Sequence, residues 1–373
     1  MGVGGYHEYC YLCGKSYAEA KKTQEHIIQQ SIGGLKHPPF YICKDCNNER
    51  LREIDTELAN QFAGAMYFLR AYKERTKYAP FFVHSLETGE KLKFDPSKGY
   101  SIKPVFREKV SEEGDVTNLL IGASDERRLE EMIQNCVKKG KISEEDVAEG
   151  KRYIKPVEFK KRSLKFDIFS ENIYRAVLKI AANLYVMHGG ALSKPLVKFI
   201  LEGGKNEYIF PALPDMFLFE DDCLCSHRIE IVCDKKSKSS IGYIELFSGF
   251  RFISILSEDY SGEDRKIRYG VDIIKGERID NCSLTKSCEG LSFVKSYILN
   301  GKITLEDYQG SFYPFLDAIE YVAERESVSD KFREKLRSLP DDMGMKEKFK
   351  LAFEHTQTDL FKFFSGTNFD GSE

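Results

Sequence analysis

The chain of 373 residues is long enough for two or three domains, and its 42% hydrophobic and 31% charged residues are typical of folded globular protein. A formal net charge of −3 excludes a strong overall attraction to nucleic-acid phosphates, although basic residues can still be gathered on one face. There is no run of about twenty apolar residues and no signal-peptide pattern, so we expect a cytoplasmic protein with no membrane partner.

The predicted elements mix helices and strands along the chain. Two Cys-x-x-Cys pairs, separated by glycine and proline turns, dominate the first sixty residues, and apolar residues at three- and four-residue steps predict a helix over 51–69. The further elements, in chain order, are a hairpin at 81–94, a strand at 119–122, a helix at 124–139, an extended segment at 153–167, a helix at 170–187, an antiparallel meander at 228–275 and charged helices from 304 onward. These patterns predict an α+β fold.

We expect three regions. Residues 1–72 form a small module around the cysteine pairs, and residues 73–300 form a larger α+β region with an antiparallel sheet, which acts as a recognition or sensor domain. Residues 301–373 form a helical C-terminal region.

The cysteine pairs predict a metal site. Cys10, Cys13, Cys43 and Cys46 can supply four thiolates, and in a reducing compartment this spacing is typical of tetrahedral Zn²⁺. About sixty residues with few large apolar side chains do not fold easily on burial alone, so zinc has a structural role here. The spacing alone favours a zinc ribbon or knuckle without catalysis.

A second pattern lies between the cysteine pairs. Glu25-His26-Ile27-Ile28 is followed by Gly33-Gly34, and Asn47 comes directly after the last cysteine. Over about the first sixty residues, this arrangement resembles the HNH, or ββα-metal, endonucleases, in branches similar to phage recombination endonuclease VII. The resemblance implies a ββα-metal module in which His26 is the general base and Glu25 and Asn47 hold a catalytic divalent metal.

These residue types suit phosphodiester hydrolysis. A neutral imidazole with a pKa near 6.5 can accept a proton from water at neutral pH, which a carboxylate does poorly. The oxygen donors of Glu25 and Asn47 suit Mg²⁺ or Mn²⁺ better than a second zinc. Adjacent side chains of a strand point to opposite sides, so Glu25 and His26 would diverge in a straight strand, and the resemblance implies a bulge or turn nearby. The resemblance implies products with 5′-phosphate and 3′-hydroxyl ends.

Two positions differ from the family. The chain has Phe40-Tyr41-Ile42 where many members carry a further asparagine or histidine, and Gln29 replaces the common proline. Asn48 and His37 are alternative metal ligands, although a helix start suits Asn48 better and a solvated loop suits His37 better.

Other polar groups are weaker candidates. The segment 151–165 contains Lys160, Lys161 and Arg162 among aromatic residues, which fits a nucleic-acid track and a solvated strand face equally well. A second group contains one histidine and several cysteines without paired spacing, so we expect buried thiols rather than a metal site. Its members are Cys223, Cys225, His227, Cys233, Cys282 and Cys288. His188 is expected to cap a helix.

The sequence therefore favours a metal-dependent endonuclease acting on DNA, with RNA as an open alternative. A large non-basic region on a small nuclease resembles the layout of antiphage defence effectors, in which an activating ligand or partner protein regulates the nuclease. Nicking of both strands would be easier for a homodimer. The rival interpretation is a catalytically silent zinc-knuckle adaptor that binds nucleic acid or protein.

Overall fold

A computed structural model describes most of the chain and confirms the α+β fold. The described residues are 8–35, 40–73, 77–85, 91–101, 105–110, 116–123, 126–151, 162–220, 223–280, 282–287, 290–300, 303–304, 307–308, 310–340 and 343–365. The helices of these residues are α1 (Arg52–Phe68), α2 (Glu126–Lys138), α3 (Glu144–Glu149), α4 (Glu171–Met187), α5 (Lys194–Glu202), α6 (Gly290–Asn300), α7 (Tyr313–Ser338) and α8 (Met345–Ser365).

The strands fall into several antiparallel sheets. Those of the N-terminal half are β1 (Lys22–Glu25), β2 (Phe40–Cys43), β3 (Phe81–Ser85), β4 (Lys91–Asp95), β5 (Gly99–Ser101), β6 (Val105–Val110), β7 (Val116–Gly122) and β8 (Arg162–Ser163). Those of the C-terminal half are β9 (Ile209–Pro211), β10 (Leu218–Phe219), β11 (Ser226–Asp234), β12 (Ser239–Leu246), β13 (Phe250–Ser257), β14 (Arg265–Asp272), β15 (Glu277–Arg278) and β16 (Leu284–Lys286).

The chain packs into two compact units. One consists of residues 77–166, and the other combines residues 1–76 with residues 167–373. The cysteine-rich segment, the large sheet and the C-terminal helices pack into the second of these units.

The smaller unit is built on short antiparallel strands. Its four-stranded sheet has the order β5-β4-β3-β8, and β6 pairs with β7 in a separate hairpin. The predicted hairpin at 81–94 is confirmed by the pairing of Phe81 with Phe94, and the predicted helix at 124–139 is α2. Most of the predicted extended segment at 153–167 lies outside the described residues.

The larger unit is centred on a six-stranded antiparallel sheet with the order β15-β14-β11-β12-β13-β9. The predicted meander is confirmed for β11, β12 and β13, but it is wrong for β14, which crosses the sheet and pairs with β11. One face of this sheet packs against α4, because Ser240 Oγ donates to Tyr185 Oη at 3.0 Å and Gly242 lies close to Ala181. The opposite face is covered by an apolar cluster that includes Phe217 and Val294. The sheet therefore lies between α4 and this apolar cluster.

The N-terminal segment shares its core with this sheet. His227 on β11 accepts the backbone N–H of Phe247 at Nδ1 (3.0 Å), so its Nε2 carries the proton and donates to the carbonyl of Ile32 at 2.6 Å. The rings of Phe62 on α1 and Phe247 stack with centroids 4.7 Å apart. Tyr72 also donates its backbone N–H to Ile273 at 2.7 Å. Polar and apolar contacts therefore join the two parts of the chain.

The C-terminal helices complete the unit. Helices α7 and α8 pack on each other, and α7 also contacts α1. Arg70, just after α1, forms a 2.7 Å ion pair with Glu326 on α7. Within the described part of the chain, no helix is both long and apolar enough to cross a membrane.

The buried His227 predicts a pH dependence of stability. Burial lowers its pKa from 6.5 to about 4. A depressed folded-state pKa means that the unfolded chain binds the extra proton first, so stability is full above about pH 6.5 and is lost as the pH falls toward 4. The His227 contribution to the free energy of unfolding should fall by roughly 2 kcal/mol between pH 7 and pH 5. Urea unfolding gives the free energy of unfolding of wild type and of His227→Gln at each pH, and the difference between the two proteins should shrink as the pH falls from 7 to 5. A difference that does not change with pH would contradict the prediction.

Candidate functional site

The four N-terminal cysteines form a compact cluster. The Sγ atoms of Cys10, Cys13, Cys43 and Cys46 all lie within 4.8 Å of one another, and Cys13 Sγ is 3.6 Å from Cys43 Sγ. Tetrahedral zinc with bonds of about 2.3 Å requires sulfur atoms about 3.8 Å apart. The cluster therefore fits one structural Zn²⁺ ion held by four thiolates, as the spacing predicted.

Two local turns present these cysteines. The first pair lies in a tight loop in which Gly14, with a φ of +70°, donates its N–H to the Cys10 carbonyl at 2.7 Å. The second pair spans the end of β2 and a π-helical turn, Cys46–Arg50. A hydrogen bond from Cys46 lowers the pKa of Cys10 to about 5, which favours a thiolate there.

Strand β1 carries the acidic residue of the predicted site. It pairs antiparallel with β2 from Lys22 opposite Cys43 to Glu25 opposite Phe40. Exposure alternates along β1, so that Thr23 is half-buried and Glu25 is buried while the residues between and before them are exposed. Thr23 and Glu25 therefore lie on the inward side of the hairpin.

The chain bends at His26, as predicted. Strand β1 ends one residue before His26, and the two isoleucines that follow are both fully buried, which an extended strand with one exposed face would not allow. The turn closes at Gly33, whose φ is +93°. A Cβ on Gly34 would lie 1.8 Å from the carbonyl oxygen of Ile28, so only glycine fits at this position.

Asn47 lies on the same side of β1 as Glu25. Its Nδ2 donates to Thr23 Oγ1 at 3.1 Å, and Thr23 Oγ1 in turn donates to the carbonyl of Ile42. This bond uses the amide nitrogen of Asn47 and leaves the amide oxygen as an acceptor. The oxygen donors of Asn47 and Glu25 are therefore available on one side of the strand, which fits the hard ligands that Mg²⁺ or Mn²⁺ prefers.

Glu25 has a partner that sequence reasoning missed. The ammonium of Lys179 on α4 lies 2.8 Å from Glu25 Oε1 and 2.7 Å from Asp55 Oδ1 on α1. The side chain of Lys179 is 0% exposed and that of Glu25 only 7%. Although burial disfavours the ammonium, the charges of Glu25 and Asp55 hold the pKa of Lys179 above its ordinary value. A buried cation therefore bridges the two carboxylates.

Asn183, one helical turn beyond Lys179, connects this site to the zinc cluster. Its Nδ2 donates to the backbone carbonyl of His26 at 3.0 Å and, more weakly, to Glu25 Oε1 at 3.4 Å. Its Oδ1 accepts the hydroxyl of Tyr11 at 2.6 Å. Because Tyr11 lies between two cysteines of the cluster, the position of His26 depends on both α4 and the zinc loop.

Asp55 is the other residue that the sequence did not indicate. Besides Lys179, Asp55 Oδ1 accepts a hydrogen bond from Nε2 of Gln29, the residue that stands in place of the family's proline. Burial raises the pKa of Asp55, and the Lys179 ammonium opposes this shift. An open hollow at the start of α1 is lined by Asn47, Asn48, Arg52, Asp55, Thr56 and Ala59.

Of the remaining candidates from the sequence, one lies beside the candidate site, and the others lie elsewhere or outside the described residues. Asn48 is exposed in the same hollow, whereas His37, Lys160 and Lys161 lie outside the described residues. Arg162 belongs to β8. In the described part of the chain, only the first four cysteines form a potential metal cluster, and Cys225, Cys233 and Cys282 are buried. His188 contacts the carbonyl of Leu184 through Nδ1 at 2.9 Å, consistent with its predicted capping role.

Comparison with known proteins agrees with this geometry. Residues 10–63 match the HNH endonuclease family. The match begins at the first cysteine of the cluster and ends within α1, so it contains Glu25, His26 and Asn47 and excludes Lys179 and Asn183. Neither a curated protein nor a solved structure gives a significant match to the chain. The matched segment, which we call the HNH module (residues 10–63), thus indicates a nuclease. Helix α4, which contacts the candidate site through Lys179 and Asn183, lies outside the matched segment.

Zinc removal should destabilise the HNH module. Because the four thiolates of one zinc site join the loop of the first cysteine pair to the end of β2, Cys43→Ser should lose the metal and lower the melting temperature by about 10 °C or more. Elemental analysis and thermal unfolding measure the two effects. Cys282→Ala is the matched control, since this cysteine is buried outside the cluster and the variant should retain one zinc per chain. Full zinc content in Cys43→Ser would contradict the assignment.

Proposed function

We propose that the chain is a metal-dependent HNH endonuclease that hydrolyses phosphodiester bonds in DNA. The observation that carries the proposal is the placement of Glu25 and Asn47 on one side of β1, with His26 at the bend that directly follows. All three residues lie within the segment that matches the family. In this proposal His26 is the general base, and Glu25 and Asn47 hold Mg²⁺ or Mn²⁺.

The chain's own groups have separate roles in the proposed reaction. A neutral ring nitrogen of His26 accepts a proton from the attacking water. The backbone of His26 is held by Asn183, and the carboxylate of Glu25 is held by Lys179, so both are oriented before substrate binds. When bound, the divalent metal supplies positive charge that stabilises the charge developing on the phosphate and the leaving oxygen.

Substitution of His26 tests the proposed base. His26→Ala should lower the rate of supercoiled-plasmid cleavage by about 10²- to 10⁴-fold, because the variant lacks the group that accepts the proton. The assay uses Mg²⁺ and then Mn²⁺, after elemental analysis has shown that zinc is retained. His355→Ala is the control, since His355 is exposed on α8 far along the chain from the module and its variant should cut at the wild-type rate. Equal rates for wild type and His26→Ala would contradict the proposal.

The substrate class needs its own experiment. The chemistry of an imidazole base and a divalent metal does not distinguish ribose from deoxyribose, and we propose DNA as the substrate. In a competition experiment with labelled DNA and RNA of the same sequence, DNA should be cut preferentially. Preferential cutting of RNA would leave the nuclease assignment intact and overturn the substrate.

Regulation by the rest of the chain is a further part of the proposal. Residues 167–373 pack with the HNH module in one unit, so a ligand or partner protein that binds there can act on the site. We propose a role in antiphage defence, in which such binding activates the nuclease and a homodimer allows both strands to be cut. Full activity without any ligand, together with unchanged phage plating on expression, would contradict this role.

One observation favours a second candidate function. The carboxylate of Glu25 already has a cationic partner in Lys179, and a site whose acidic ligand is neutralised can lose its metal while keeping its fold. The chain would then be a zinc-containing adaptor that binds nucleic acid without cutting it. DNA binding with no cleavage under any metal or ligand condition would favour the adaptor.

A further inference from the structure

The bridging ammonium of Lys179 has a consequence for metal binding. We propose that Lys179 is a positioning residue of the nuclease site, and that Asp55 balances its charge so that Glu25 keeps a negative charge for a divalent cation. This inference rests on the proposed function, because it assumes that Glu25 is a ligand of the catalytic metal. Neither Lys179 nor its helix belongs to the segment that matches the family.

The first step is that Lys179 is a fixed part of the site. Helix α4 is buried along nearly its whole length, with thirteen buried residues among its seventeen. It contacts α1, α5 and five strands of the large sheet. The side chain of Lys179 has no exposed surface, so its ammonium belongs to the packed core of the unit.

The charges of Lys179, Glu25 and Asp55 together decide how strongly the site attracts a cation. Lys179 alone would neutralise Glu25, and a neutral pair attracts a divalent cation weakly. Asp55 contacts the same ammonium at 2.7 Å, slightly closer than Glu25 at 2.8 Å, so the three groups together carry a net charge of −1. This is the charge of a single free carboxylate. The group therefore keeps the electrostatic attraction of a lone Glu25 while fixing its position.

The third step is that Asp55 lies next to the proposed cation site. It shares the nitrogen of Lys179 with Glu25, and it lines the same open hollow as Asn47. Its side chain is 22% exposed, compared with 7% for Glu25, so Asp55 forms the solvent side of the bridge. Gln29 fixes the same carboxylate oxygen from the turn after His26. A change of charge at Asp55 therefore directly changes the electrostatic attraction for a cation at Glu25.

Binding of Mn²⁺ alone to the zinc-loaded full chain tests the inference without relying on activity. Loss of the free Mn²⁺ signal in electron paramagnetic resonance gives the affinity. Asp55→Asn should lower the affinity about tenfold or more, because it leaves Lys179 to neutralise Glu25. The double variant Asp55→Asn/Lys179→Met removes both charges, restores the net charge of −1 and should bind Mn²⁺ close to wild type.

The matched control is Glu53→Gln, which makes the same charge change on an exposed position of α1 and should alter the affinity less than about twofold. Wild-type affinity in Asp55→Asn would overturn the inference, as would a double variant that binds no better than Asp55→Asn. The second result would instead make Asp55 a direct ligand. The double variant is also a milder change than Lys179→Met alone, which would leave two carboxylates without their cation. The double variant leaves only Glu25, which keeps the Asn183 amide at 3.4 Å.

Glu25→Gln separates this inference from the proposed function. It should abolish the Mn²⁺ binding that depends on Glu25. If Glu25→Gln binds Mn²⁺ as wild type does, the assignment of Glu25 as a metal ligand fails, whatever Asp55→Asn shows. If Glu25→Gln loses binding and Asp55→Asn does not, the metal site stands and only the charge-balancing role fails.

Discussion

The buried ammonium of Lys179 is the interaction on which the arrangement of the site depends. An ammonium with no exposed surface is costly to bury unless carboxylates surround it, and Glu25 and Asp55 supply them from two different elements of the HNH module. The same bridge explains why the module packs against α4, since neither carboxylate could be buried alone at low cost. The candidate site and the core of the larger unit are thus stabilised by one set of contacts.

The sequence predicted the parts of the site that are close together in the chain. The cysteine spacing and the pattern from Glu25 to Asn47 lie within one short segment, so the site that they form can be predicted without knowledge of the fold. Lys179 and Asn183 could not be assigned in this way, because their partners lie between 124 and 172 residues away in the chain. A weaker signal was present: Arg175, Lys179 and Asn183 recur at four-residue steps in an otherwise apolar helix, which indicates a buried polar stripe. The pattern shows that such a stripe exists, but only the fold shows what it binds.

The same limit applies to the division into domains. The composition of the first seventy residues predicts a small module, and only the fold shows that His227 bonds to Ile32 and that Phe247 stacks on Phe62. Secondary structure was easier to predict: α1 follows from apolar periodicity, α4 from periodicity and the cap at Ser170, and the strands of the large sheet from runs of Ile, Val, Phe and Tyr. Gln29 shows how a departure from the family can have a structural reason, because a proline there could not hold Asp55.

We propose above all that a divalent cation binds at Glu25 while Lys179 remains in place. Anomalous diffraction from crystals of the zinc-loaded chain soaked in Mn²⁺ tests it most directly. We expect zinc at the four cysteines, manganese at Glu25 and Asn47, and the Lys179 ammonium still bonded to both Glu25 and Asp55. Manganese absent from Glu25, or bound there with Lys179 displaced from the carboxylate, would contradict the account.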